Sequence, residues 1–240
     1  MELQTLLRKA KYPVVLTGAG MSTESGLPDF RSAAQGLWKY KDPARLASTY
    51  AMEHNRDEFV EFYTERIKGL KQCQPHDGHY ILAKWERKGL IKSIITQNVD
   101  GFHHLAGSEN IAEVHGTLRY LYCDRCRQKA NHNLYLQAHT TCECGGFLRP
   151  SVVLFGETLP DEAVLAAEQE TKKADLFIVL GSSLQVSPAN LFPIEAKRNG
   201  AQLVIINMEE TELDGMADLV IHNRKIGEYL QEIDAYLSHE

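Results

Sequence analysis

The chain has 240 residues, 43% hydrophobic and 24% charged, with a formal net charge of −6. That is the make-up of a folded protein with one domain or a large and a small one. The acidic balance argues against a nucleic-acid partner, which wants a basic face, but leaves room for a basic peptide. No apolar run approaches the roughly 20 residues needed to span a bilayer, and the N-terminus lacks an apolar leader, so a cytoplasmic protein with no membrane partner is expected.

The spacing predicts a short helix over Leu3–Lys11, then a strand at Val14–Leu16. Residues 44–71 read as largely helical, with Phe59, Phe62, Tyr63 and Ile67 at helical spacing. Gly78–Lys88 reads as a helix closed by Gly89, and Ile91, Ile94 and Ile95 as a strand running into Thr96. Further on come a helix over Ala163–Lys173, the strand Leu176–Leu180 and a helix whose end, Glu195–Asn199, is stopped by Gly200. Strands at Leu203–Ile206 and Leu219–Ile221 and a closing helix Ile226–Leu237 follow.

Repeated β–α units with fully apolar strands predict an α/β fold, a Rossmann-like parallel sheet covered on both faces. Residues 32–75 and 120–150 break this rhythm. They read as a helical insertion and a cysteine-bearing module that together form a smaller domain. The large domain would then comprise 1–31, 76–119 and 151–240.

Val14-Val15-Leu16 leads directly into Gly18-Ala19-Gly20, where small residues let backbone N–H groups approach a pyrophosphate. The dehydrogenase fingerprint wants a third glycine at position 23, but Thr23 stands there. The chain continues through Ser25-Gly26-Leu27-Pro28-Asp29-Phe30-Arg31, a segment rich in helix breakers.

Four of the five cysteines lie within 22 residues, as Cys123-x-x-Cys126 and Cys142-x-Cys144. Two close pairs joined by a loop suit a tetrahedral four-cysteine zinc site, and Gly145-Gly146 helps the backbone turn around a metal. Four thiolates leave no open position, so such a zinc is structural; two disulfides are the competing reading. Cys73 stands outside the set as an ordinary small apolar residue.

The strand ending Ile94-Ile95-Thr96 runs into Gln97-Asn98-Val99-Asp100-Gly101. Ligands of open parallel sheets bind beyond the strands' carboxyl ends, which places Gln97, Asn98 and Asp100 where chemistry is done. Asn, Asp and Gly also favour turns. His115, His103 and His104 are candidate bases on residue type alone.

Together these segments resemble the sirtuins, NAD-dependent protein lysine deacylases. The matching stretches are GAGMSTESGLPDFRS (18–32), TQNVDGFHHLAG (96–107), VHG (114–116), the cysteine pairs, RPSVVLFGE (149–157) and GSSLQVSPA (181–189). The Cys-x-Cys variant and the long matching tail resemble bacterial members. The resemblance implies NAD in a cleft between two domains, with an acyl-lysine peptide entering from the other side. Gly18, Ala19, Gly20 and Ser22 would contact the pyrophosphate. Asp29, Phe30 and Arg31 would belong to a loop closing over NAD, Phe30 shielding the anomeric carbon. Gln97 and Asn98 would hold the nicotinamide ribose and an ordered water, and Asp100 the carboxamide. Gly181, Ser182 and Ser183 would contact phosphate or ribose, and Asn207 the adenosine ribose. His115 would act as general base on a ribose hydroxyl, and the acyl group would pass to ADP-ribose with release of nicotinamide.

The resemblance also implies that the peptide adds as a strand between two extended segments, Val152-Val153-Leu154-Phe155-Gly156-Glu157 and Ser183-Leu184-Gln185-Val186. Val153 and Phe155 would line the lysine tunnel, or else serve as core residues of a buried strand. Tyr63 and Arg66, at i and i+3 on a helix, match a Tyr-x-x-Arg pair that some sirtuins use to hold an acidic acyl chain such as succinyl. Alternatives are an NAD-dependent ADP-ribosyltransferase, a desuccinylase-preferring deacylase, a non-enzymatic sensor of NAD or acyl-peptides, and a dehydrogenase lacking its third glycine.

Overall fold

Valine, leucine and isoleucine runs without polar alternation form strands only where both sheet faces are covered. The computed structural model, which describes residues 2–29 and 41–238, follows this rule. Its strands are β1 (Pro13–Thr17), β2 (Ser93–Thr96), β3 (Ile111–Glu113), β4 (Gly116–Cys123), β5 (Lys129–Asn131), β6 (Leu148–Val152), β7 (Leu176–Leu180), β8 (Gln202–Ile206) and β9 (Leu219–Ile221). The helices are α1 (Leu3–Lys9), α2 (Pro43–Leu46), α3 (Thr49–His54), α4 (Arg56–Lys71), α5 (Asp77–Arg87), α6 (Phe102–Ala106), α7 (Asn133–Leu136), α8 (Asp161–Lys173), α9 (Leu191–Arg198) and α10 (Ile226–Ser238).

Six strands pair in the order β3-β2-β1-β7-β8-β9, every pair parallel. The chain winds outward on one side from β1 and on the other from β7, so the strand order reverses between them. Thr17 is level with Thr96 and with Leu180, so three strand ends meet at one edge.

Alternate residues of each strand feed opposite cores. Val15, Ile178 and Leu180 pack with α1, α5 and α10, whereas Val14, Leu16, Phe177 and Val179 pack with α8 and α9. The alternation is invisible as polarity because both sides are apolar.

The cysteine segment, which breaks the β–α rhythm of the sequence, has a sheet of its own. It forms a three-stranded antiparallel sheet, β5-β4-β6, reaching from Gly116 to Val152 and thus beyond residues 120–150. A register shift between Thr117 and Leu121 breaks the period of β4, and β5 has only three residues. Helix α4 and this sheet share one core, in which Phe59, Phe62, Tyr63 and Ile67 meet Leu121, Leu148 and Val152.

Candidate active site

Where the strand order reverses, two glycine turns touch. Gly18 N–H donates to Leu180 O at 3.0 Å and Gly20 N–H to Gly181 O at 2.8 Å. A Cβ on Gly18 would lie 2.7 Å from Gly181 O, and one on Gly20 would lie 2.8 Å from Gly181 Cα. Gly181 itself has φ +63, and its Cβ would meet Met21 N at 2.4 Å. Glycine is required at all three positions by turn-on-turn packing, whatever else they bind. After Gly18 the chain forms a 3-10 turn, Ala19–Ser25, stopped by Gly26 at φ 92.

The end of β2 is tied to this turn by polar side chains. Asn98 Nδ2 donates to Gly18 O at 2.9 Å and to Ser22 Oγ at 3.2 Å, and Ser22 Oγ donates to Asp100 Oδ2 at 2.8 Å. Asp100 Oδ1 accepts the Phe102 N–H at 2.9 Å. Ser22, Asn98 and Asp100 are all buried. Burial raises the Asp100 pKa, against the opposing pull of its hydrogen bonds from Phe102 and Ser22. Gln97 Nε2 donates to Ser182 Oγ at 2.8 Å, which joins the ends of β2 and β7. Asn207, just past β8, donates through Nδ2 to Glu209 O at 2.8 Å.

His115 Nδ1 lies 3.0 Å from Gln97 O. A carbonyl oxygen only accepts, so Nδ1 carries the proton and the neutral ring keeps its basic lone pair on Nε2. The ring lines a cavity of about 790 Å³ together with Tyr63, Arg66, Gln97, Val153 and Phe155. The other two candidate histidines are not in that lining. His103 is buried with Nε2 3.0 Å from Thr17 Oγ1, and burial pushes its pKa down to about 3. His104 Nε2 lies 3.6 Å from Glu113 Oε2.

Val153 N–H donates to His115 O at 2.9 Å, which fixes the segment after β6 beside the imidazole. Phe155 is 44% exposed at the cavity, while its backbone is held by Ala47 O at 2.9 Å and Thr49 N at 3.0 Å. Gly156, at φ +97, also lines it. Tyr63 and Arg66 share one helix face as expected, the Arg66 guanidinium carbon 5.8 Å from the Tyr63 ring centre. Burial raises the Tyr63 pKa to about 12 and lowers that of Arg66.

Two expected peptide contacts have other partners. Leu184 is 3% exposed, its side chain within the core that also holds Phe192. The Glu157 carboxylate is taken by Arg149, at 2.5 and 2.9 Å, and by the Leu154 N–H at 2.8 Å. Val152 is 5% exposed and packs in the core shared with α4, though it also borders the cavity. Asp29 and Ser183 are described, whereas Phe30 and Arg31 lie outside the described residues.

Sequence reasoning missed the layer beneath the site. Thr17 Oγ1 lies 2.8 Å from Thr96 Oγ1 and 3.0 Å from His103 Nε2, and Thr96 Oγ1 accepts the Asn98 N–H at 3.0 Å. Threonines in strands look like ordinary β-branched residues, so nothing marks them. Val99 and Leu165 also line the cavity unforeseen; an apolar residue inside the polar run 97–100 was the available clue to Val99.

The four clustered cysteines keep all Sγ atoms within 4.8 Å of one another. Cys123 and Cys144 are 3.5 Å apart and Cys126 and Cys142 3.8 Å. A disulfide needs about 2.05 Å, whereas a zinc tetrahedron with bonds of about 2.3 Å separates its sulfurs by about 3.8 Å. The donor set fits a structural zinc and leaves no open coordination position. A Cβ on Gly146 would lie 2.5 Å from Cys123 Sγ.

The Sir2 family model matches residues 18–188. A Geobacillus kaustophilus protein named NAD-dependent protein deacetylase 1 is 59% identical over 238 residues, 99% of this chain and 98% of the relative. An Oceanobacillus iheyensis NAD-dependent protein deacetylase is 54% identical over 227 residues, 95% of this chain and 96% of the relative. Among solved structures, a Sir2 complex with a peptide and NAD+ matches with a TM-score of 0.89 at 36% identity over 100% of both chains. A Sir2 bound to a propionylated peptide matches with a TM-score of 0.89 at 35% identity over 100% of both.

Proposed function

The chain belongs to the Sir2 family, and from that premise we propose that it is an NAD-dependent protein lysine deacylase whose principal reaction is deacetylation. The observation that carries this reading is the His115 imidazole, its tautomer set by Gln97 O, on the wall of a cavity large enough for an acyl-lysine chain. Val99, Val153 and Leu154 make much of that wall apolar, as a lysine stem and acyl group require.

NAD, when bound, would supply an electrophilic anomeric carbon and a ribose hydroxyl to accept the acyl group. The turns at Gly18–Ser22 and Gly181–Ser183 would cradle its phosphates and adjoining ribose with their hydroxyls and with those backbone N–H groups that the turn-on-turn contacts do not use. Gln97, Asn98 and Asp100 hold the nicotinamide end, and Asn207 the adenosine ribose. His115 Nε2 takes a proton from a hydroxyl in the cavity, and Gln97 O keeps the resulting imidazolium oriented.

We place the site between a parallel-sheet domain (1–31, 76–119, 151–240) and a small domain (32–75, 120–150); the core that α4 shares with the cysteine sheet supports joining the two insertions, and the ends of that sheet, Gly116 and Val152, run past these bounds. The peptide lies along residues 152–157 and pairs with main-chain groups on its other side. Four clustered thiols suit a reducing cytoplasm. The test is NAD-dependent loss of the acetyl group from an acetyl-lysine peptide.

A second activity, desuccinylation, is favoured by one observation. Tyr63 and Arg66 line the same cavity as His115, so a carboxylate at the end of an acyl chain would meet a guanidinium there.

A further inference from the structure

In β4 the side chains of Leu121 and Cys123 enter the core shared with α4, which turns Tyr120 and Tyr122 to the opposite face. Lys129 of β5 is the cross-strand partner of Tyr122, so the three side chains share that face. The face lines a second cavity, about 730 Å³, which the stretch Thr158–Asp161 leading into α8 also lines. Residues 152, 153, 156–159 and 161 border both this cavity and the one holding His115. A peptide seated along that stretch therefore has its acyl-lysine in one cavity and a flanking residue within reach of the other.

The cations of the lining, Arg127 and Lys129, and Arg149, which stands outside it, are arranged on aromatic rings. Lys129 Nζ sits 4.4 Å from the Tyr120 ring centre, and the guanidinium carbons of Arg127 and Arg149 lie 4.7 and 5.2 Å from that of Tyr122. Cation–π contact holds flexible side chains in place without consuming their charge. Glu157 and Asp161 are the carboxylates of the lining, and Glu157 is already matched by Arg149 in a two-point ion pair. Among the described residues neither Arg127 nor Lys129 is in a direct ion pair, though against the upward push of burial Arg127 lies near enough to Glu157 to help Arg149 hold that carboxyl's pKa down. With Glu157 neutralised by Arg149, Arg127 and Lys129 face Asp161 alone, which leaves the cavity an excess of one positive charge in a chain whose net charge is −6.

We propose that this cavity is a subsite for an acidic side chain flanking the acyl-lysine, and that it directs the enzyme to acylated lysines with a nearby Asp or Glu. The proposal rests on the deacylase reading above. Arg127 and Lys129 are exposed, so the discrimination is modest, about 3- to 10-fold, and weakens with salt.

The experiment uses acetyl-lysine peptides in an alanine background, with Glu or Lys placed singly at each of three positions on either side. The kcat/KM ratio of the Glu to the Lys peptide is read for wild type, for the double variant Arg127→Ala/Lys129→Ala, and for Lys129→Glu, which lies outside the cysteine turn. Ratios within one variant are unaffected by a general loss of activity. Zinc content and fluorescence anisotropy of the same peptides are measured alongside. The expected result is a ratio of about 3 to 10 at one or more positions in wild type, about 1 in the double variant and below 1 in Lys129→Glu. A wild-type ratio near 1 everywhere, or one that neither variant changes, overturns the proposal. If no peptide is deacetylated the deacylase reading fails instead, and the anisotropy affinities, judged by the same ratios, still decide the subsite.

Discussion

Ser22 Oγ donates to Asp100 Oδ2 at 2.8 Å, joining residues 78 positions apart in the chain. The bond ties the turn after β1 to the loop after β2, and Ser22 in turn receives Asn98 Nδ2. The three polar groups thereby support one another where water is excluded, so none can be altered alone without orphaning a neighbour.

Asp100→Asn tests this. The amide oxygen still accepts from Phe102 N–H, but the Ser22 hydroxyl then faces an NH2 group and loses its acceptor. An unpaired buried polar group costs about 1–3 kcal/mol, so KM for NAD is expected to rise about 10-fold or more in a protein that remains folded. Nicotinamide release against NAD concentration measures it, and a change of less than twofold would refute the assignment.

The cysteine cluster should carry about one zinc per chain, read by elemental analysis. Cys126→Ser should lose it. Because the cysteine sheet and α4 share a core, the loss should propagate into the helices and lower Tm by about 10 °C or more, at roughly 2–4 °C per kcal/mol for a chain of this size. A variant that keeps both its metal and its Tm would show that Cys126 is not a ligand.

His79 and His103 are buried with ring centres 5.0 Å apart, and burial lowers their pKa values to about 2 and about 3 from 6.5. The unfolded chain binds these two protons below pH 6.5 and the folded chain does not. Stability from this pair is complete above pH 6.5 and falls as pH drops, by about 1.4 kcal/mol per unit for each histidine, or about 4 kcal/mol in all by pH 5. Denaturant unfolding of His79→Leu between pH 6 and pH 4.5 should show a slope shallower by about 1.4 kcal/mol per pH unit. Parallel slopes for the two proteins would mean that His79 titrates normally.

Arg66 sets the expected acyl preference. Arg66→Met should lower the ratio of succinyl- to acetyl-lysine turnover by about 10-fold, the loss of one charge-assisted contact of about 1.5–3 kcal/mol. Competing the two peptides in one reaction measures that ratio directly. An unchanged ratio would remove Arg66 from acyl recognition.

Much of the large domain could be read from residues alone because its chemistry is local. All five residues of Leu176–Leu180 are buried, and an unbroken apolar run bounded by breakers has few alternatives to a central parallel strand. The helical spacing of Phe59, Phe62, Tyr63 and Ile67 likewise coincides with the buried face of α4. The antiparallel cysteine sheet is not legible in the sequence, since a register shift interrupts β4, β5 has only three residues, and the core beneath them is completed by the distant α4. In the site, Gln97, Asn98 and Asp100 stood out as polar residues at an apolar strand's end. Glu157 did not reveal its partner. Its sequence position suggests a peptide contact, but only the folded turn brings it onto Arg149.

The central claim is that His115 serves an NAD-consuming acyl transfer in the cavity it lines. Mass spectrometry of the products formed from NAD and an acetyl-lysine peptide tests it most directly. Expected are nicotinamide, unmodified lysine peptide and O-acetyl-ADP-ribose in equal amounts, with kcat reduced about 100-fold or more by His115→Ala, the range of a lost general base. ADP-ribose attached to a peptide that keeps its acetyl group, or turnover undiminished in His115→Ala, would contradict it.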